Sequence, residues 1–84
     1  MSQIDKLKQA FRDCHGTFPY REFERLIRAI GFEPLKAGKT GGARRKFMHR
    51  VTGKQIWLHE PHDGEMRRLM VRDQQQYLRE LGLL

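Results

Sequence analysis

The sequence predicts an α+β fold with its elements in the order α-α-β-β-β-α, a three-stranded antiparallel sheet carrying its helices on one face. Three observations predict it. Apolar residues recur at helical spacing in three segments. Residues 43–51 and 55–60 alternate between apolar and polar side chains, as half-buried strands do. Between these two lies only the turn signal Thr52-Gly53-Lys54, and strands joined by so short a link run antiparallel.

Ile4, Leu7, Ala10 and Phe11 form the apolar stripe of a first helix over residues 3–13, stopped at His15-Gly16. Thr17 or Phe18 precedes Pro19, a residue suited to a first helical turn, where its missing N–H costs nothing. Phe23, Leu26, Ile27 and Ile30 then give a helix over 19–30 that ends at Gly31. Residues 32–36 read as a short or edge strand, because Pro34 cannot donate to a ladder. Gly38-Lys39-Thr40-Gly41-Gly42 reads as a turn into the strand at 43–51. After the strand at 55–60 and the loop Pro61-His62-Asp63-Gly64, the residues Met66, Leu69, Met70, Tyr77, Leu78 and Leu81 mark a last helix over 65–81. Alternation puts Phe47, Val51, Ile56 and Leu58 toward the helices, with His49 on that apolar side as a core or edge histidine. Arg44, Lys46, Met48 and Arg50 point the other way, with Gln55, Trp57 and His59.

Length and composition narrow the function classes. At 84 residues the chain holds one small domain. A single cysteine forms no internal disulfide, so a reducing cytoplasm is the expected compartment. No apolar run reaches the ~18 residues of a membrane span, and the charged start is unlike a signal peptide. The formal charge is +7. Residues 36–54 hold Lys36, Lys39, Arg44, Arg45, Lys46, Arg50 and Lys54 without one acid, and the rest of the chain is neutral. An acid-free basic segment on a neutral domain points to an anionic partner.

Two groups of residues carry candidate chemistry. The first is Gly41-Gly42-Ala43-Arg44-Arg45-Lys46, where glycines permit close backbone approach and arginine forks phosphate; Trp57 can stack on a base or lie under an arginine. The bland alternative is a solvated charged strand. The second is His59-Glu60-Pro61-His62. Cleavage of RNA by its own 2′-hydroxyl needs one group to take that proton and another to protonate the leaving oxygen, and imidazole titrates where both tasks are possible. The bland alternative is a pair of surface histidines. No metal site is expected, since one cysteine and this histidine spacing do not complete four ligands. Gly38-Lys39-Thr40 lacks the upstream glycine and following helix of a P-loop, Cys14 has no adjacent base, and Met66/Met70 have the spacing of core residues.

Over residues 18–84 the chain resembles the HicA toxin family, small RNA-cleaving partners of HicB antitoxins. The features that carry the resemblance are Ile30-Gly31-Phe32 at a helix end, Gly41-Gly42 with Phe47 at a hairpin entry, Pro61-His62, and Leu81-Gly82-Leu83. It implies a fold like a double-stranded-RNA-binding domain, with a core at 17–84 and an N-terminal helical extension at 1–16. It also implies metal-independent messenger RNA cleavage without any cofactor, and a HicB-like antitoxin that masks the active surface. The family's Gly-Ser-His stands here as Gly42-Ala43-Arg44, as in a branch with arginine for the catalytic histidine and a His-x-Pro-His stretch further on. The site implied is His59, His62, Arg44 and the Ala43 position for catalysis, with Lys39, Arg44, Arg45, Lys46, Arg50 and Trp57 for RNA. The alternative is a catalytically silent RNA-binding module, natural or engineered at Ala43.

Overall fold

Strand β3 (Arg44–His49) pairs antiparallel with β4 (Gln55–His59) and, on its other side, with the short β2 (Phe32–Pro34), giving the sheet order β2-β3-β4. These strands belong to a computed structural model that describes residues 2–35 and 44–84. Among the described residues three helices complete the α+β architecture: α1 (Gln3–Arg12), α2 (Tyr20–Ala29) and α3 (Arg68–Glu80). Among the described residues no helix is long and apolar enough to cross a membrane.

The pleat divides the sheet as alternation requires. Phe32, Phe47, Ile56 and Leu58 are buried on one face. Glu33, Arg44, Lys46, Met48, Gln55, Trp57 and His59 are exposed on the other. The buried face meets Phe23, Leu26 and Ile27 of α2, Val71 and Leu78 of α3, and Phe11 of α1 in one apolar cluster. The rings of Phe18 and Phe23 pack around Phe11, with centroids 4.9 and 5.2 Å away. Ser2 caps α1 by accepting a hydrogen bond from the Asp5 amide. At the other end of α1, Gln75 of α3 donates to the carbonyl oxygens of Phe11 (2.8 Å) and Cys14 (2.9 Å). That buried carboxamide satisfies carbonyls that a helix end leaves unpaired.

Several expectations are corrected. Val51 does not face the helices: β3 ends at His49, and Val51 stands 87% exposed in the turn that follows. The cause is His49. Its Nδ1 accepts from the amides of Val51 and Thr52, both at 3.2 Å, so the chain bends two residues before the Thr52-Gly53-Lys54 signal. Its Nε2 donates to the Ile30 carbonyl at 2.9 Å, and the ring meets Phe32 edge-on at 5.0 Å. His49 is thus the buried, satisfied histidine that alternation predicts. The last helix starts at Arg68 rather than residue 65, because Glu65–Met66 form a strand, β5. β5 pairs with β1 (Phe18–Pro19), a ladder that the sequence reading lacks. Asp63 helps delay the helix by accepting from the Glu65 amide and from Arg67. The Glu65 amide first, then the Arg67 guanidinium, hold its carboxyl below the usual range. Leu69 is consequently exposed, and Val71 takes the buried position.

Gly31 makes room for His49. A Cβ there would lie 2.5 Å from His49 Nε2, on a backbone with φ of +118°. His49→Ala is expected to lower stability by about 1–3 kcal/mol, the cost of unpaired polar groups around a vacated site. Gly31→Ala is expected to cost at least as much, through clash and positive φ together. Urea unfolding checks both; a loss under ~0.5 kcal/mol for either variant contradicts this account.

Candidate functional site

The register of β3 on β4 builds the site. Arg44 lies opposite His59, Lys46 opposite Trp57, and Met48 opposite Gln55. The His49 amide donates to the Lys54 carbonyl, so the odd residues of β3 make the ladder bonds to β4. The three pairs above are therefore the non-hydrogen-bonded ones, whose side chains stand close, with Cβ atoms about 4.5–5.5 Å apart. A cation thus sits beside an imidazole, and another cation beside an indole, on one exposed surface.

Trp57 is 64% exposed, a large apolar area for a monomeric surface. Its ring is held in place. The indole N–H donates to Gln55 Oε1 at 2.7 Å, and the Lys46 ammonium lies 4.2 Å over the ring centroid. The cation on the indole is thus a lysine, where the sequence reading named an arginine. Tyr77 of α3 donates to the Gln55 carbonyl at 2.6 Å, tying this end of β4 to the helix. An open concavity of about 360 Å³ is lined by Arg44, Arg45, Lys46, Trp57, Leu58 and His59.

Of the remaining residues of the expected site, Arg45 alone lines this concavity among the described residues. Arg45 emerges on the opposite pleat and donates from Nε to Glu60 Oε1 at 2.9 Å. Arg50 sits in the turn beyond β3, 3.8 Å from Glu33, and about 20 Å along the strand from Arg44. Its ion pair is with an open-face residue, since Glu33 stands opposite Met48. His62 is exposed in the turn that the Gly64 amide closes on the Pro61 carbonyl at 3.1 Å, and it does not line the concavity. Lys39 and Ala43 lie outside the described residues. Among the described residues no group of three or more histidine, cysteine or carboxylate side chains could hold a metal ion.

Sequence reasoning missed Tyr20 and Glu60. Tyr20 is only 3% exposed, and its hydroxyl has no hydrogen-bond partner among the described residues. Burial first, then the carboxylates of Glu24 and Glu60, push its phenol up to about 12, against a smaller opposing pull from Arg45. No periodic pattern marks such a group, because Tyr20 belongs to α2 and Glu60 to the loop after β4. Comparisons with protein-family models, with curated proteins and with solved structures found no match to this chain.

A raised phenol value has a definite sign in stability. The folded state holds the proton more tightly than the unfolded chain, so the stability present below pH 10.0 is lost as pH rises toward about 12. Tyr20→Phe should remove that alkaline loss and leave stability at pH 7 unchanged or higher, since an unpaired hydroxyl is deleted. Denaturation at pH 7 and above pH 10 checks it; a variant less stable at pH 7 contradicts it.

Proposed function

We propose that the chain is a ribonuclease of the toxin class it resembles, binding messenger RNA on the open face of the three-stranded sheet and cleaving it in the cytoplasm without a metal. A HicB-like antitoxin is the protein proposed to cover that face. The observation that carries this reading is the pair of cross-strand couples, Arg44 with His59 and Lys46 with Trp57, side by side on one exposed surface. The order α2-β2-β3-β4-α3, with only the two-residue β5 interposed before α3, supports it as well, since a double-stranded-RNA-binding domain runs α-β-β-β-α.

The chemistry follows from the neighbours. A backbone phosphate beside Arg44 meets a forked donor that stabilises the charge of a phosphorane. His59, one strand away, is in position to take the 2′-hydroxyl proton or to protonate the departing 5′ oxygen. The 2′ oxygen bonds to phosphorus as the bond to the 5′ oxygen breaks, leaving a cyclic phosphate and a free 5′-hydroxyl. His62 is the proposed second proton-transfer group. A base stacking on Trp57 from the side of Lys46 displaces that ammonium and frees it for phosphate.

One observation favours a second reading, RNA binding without cleavage. The concavity contains a single imidazole, while the reaction needs two proton transfers.

Purified protein and a single-stranded RNA separate the two. Cleavage should persist in chelator, fall about 10²–10⁴-fold in His59→Ala, and leave RNA affinity nearly unchanged in that variant. Full affinity with no cleavage in any buffer selects the binding module; loss of cleavage in chelator, or full cleavage by the His59→Ala, His62→Ala double variant, contradicts the first reading. Both readings require that Arg44→Ala and Lys46→Ala each flatten the salt dependence of binding by about 0.7 in log–log slope. Both also require that Trp57→Ala cost about 1–3 kcal/mol, read by titration. Slopes that do not move exclude this face.

A further inference from the structure

Backbone geometry gives β4 a second property, which does not rest on the RNA reading. The Leu35 amide donates to Lys46 and the Arg50 amide to Gly31, so the even residues of β3 bond to the β2 side of the sheet. The odd residues bond to β4, as His49 does to Lys54, and Ile56 and Leu58 supply the β4 half of those bonds. The N–H and C=O groups of Gln55, Trp57 and His59 consequently point away from the sheet, toward its outer edge. The Gln55 carbonyl is taken by the Tyr77 hydroxyl, which confirms the direction. Among the described residues no backbone or side-chain group bonds the outward N–H or C=O of Trp57 or His59.

Open edges are normally guarded. β2, the other edge, is three residues long and contains Pro34. β4 has five residues, with no proline, glycine or lysine among them. It ends a hairpin, residues 44–59, that holds five cations and no acid. That charge selects the occupant. A second copy of the chain would bring an identical cationic hairpin against the first, and like charges across an interface are costly. An extended acidic segment gains both the backbone bonds and the field.

We propose that the outer edge of β4 at Trp57–His59 accepts an extended, acidic segment of a partner protein as a fourth strand. Main-chain bonds to Trp57 and His59 would supply attachment, and carboxylates directed over the open face toward Lys46 and Arg44 would supply selectivity. Such a strand borders the same face that is proposed for RNA, so an attached partner also stands where it blocks nucleic acid.

Amide hydrogen exchange followed by NMR tests this on the full chain. The probe is a peptide of about ten residues alternating Glu and Val, long enough to span β4. Its counterparts are the same peptide N-methylated at alternate residues in each register, and one alternating Lys and Val. The acidic peptide at millimolar concentration should slow exchange at the amides of Trp57 and His59 by at least about tenfold. One methylated register and the lysine peptide should fail to do so. The proposal is overturned if the acidic peptide leaves both amides at their free rates, or if the lysine peptide protects them equally. It is overturned too if both amides are protected in the free protein in a concentration-dependent way, which assigns the edge to a second copy. Protection of both by a single-stranded RNA but by neither peptide assigns it to nucleic acid. RNA affinity and cleavage are read separately, so failure here leaves the RNA reading standing, and the reverse.

Discussion

The pairing of β3 with β4 decides which way every candidate side chain points, since a slip of one residue would exchange the two faces of the strand. Arg44, Lys46, Trp57 and His59 would then turn toward the helices, and Phe47, Ile56 and Leu58 toward solvent. Two constraints hold the register. The apolar face is buried, so slippage costs the whole core contribution of the hairpin. His49 then fixes where the strand ends, joining the β3–β4 turn to the corner between α2 and β2 through Val51, Thr52 and Ile30. A glycine at position 31 is the condition for that ring to fit. A buried imidazole far from the open face is in this sense what aligns it.

Much of this was legible in the sequence, for a specific reason. Strand alternation has a period of two, so Phe47, Ile56 and Leu58 imply where Arg44, Lys46, Trp57 and His59 must point, and the turn between the strands implies that they face one another. What escaped depended on contacts between residues far apart in the chain. Val51 looks like a strand residue until the His49 ring takes its amide. Met66 has helical spacing with Met70, yet its backbone pairs with Phe18. Val71 and Gln75 outrank Leu69 in burial because α3 starts three residues late and presents a rotated stripe. Composition alone cannot distinguish a free cation from a paired one. Arg45 and Arg50 belong to the same acid-free run as Arg44 and Lys46, but Glu60 and Glu33 reach them from outside it.

The ion pairs therefore sharpen the charge distribution. Both are surface pairs, worth little to stability, typically about 0–1 kcal/mol. Their effect is on the field: they mute the cations at the back and at the far end of the hairpin. Among the described residues Arg44 and Lys46 carry no ion pair, and they stand on the face that also shows the indole and the imidazole. Of the segment's described cations, Arg44, Lys46 and Lys54 are then the ones without an ion pair, and the first two share that face.

The hydrogen bond from Gln75 to Phe11 spans 64 residues of an 84-residue chain. It closes α1 with an atom from α3, so the aromatic cluster around Phe11 is sealed only after α3 has been made. A nascent chain still lacking α3 has the β3–β4 hairpin and its cations but not the packing that orients them. The surface proposed to act on RNA thus acquires its shape only after α3 has been made.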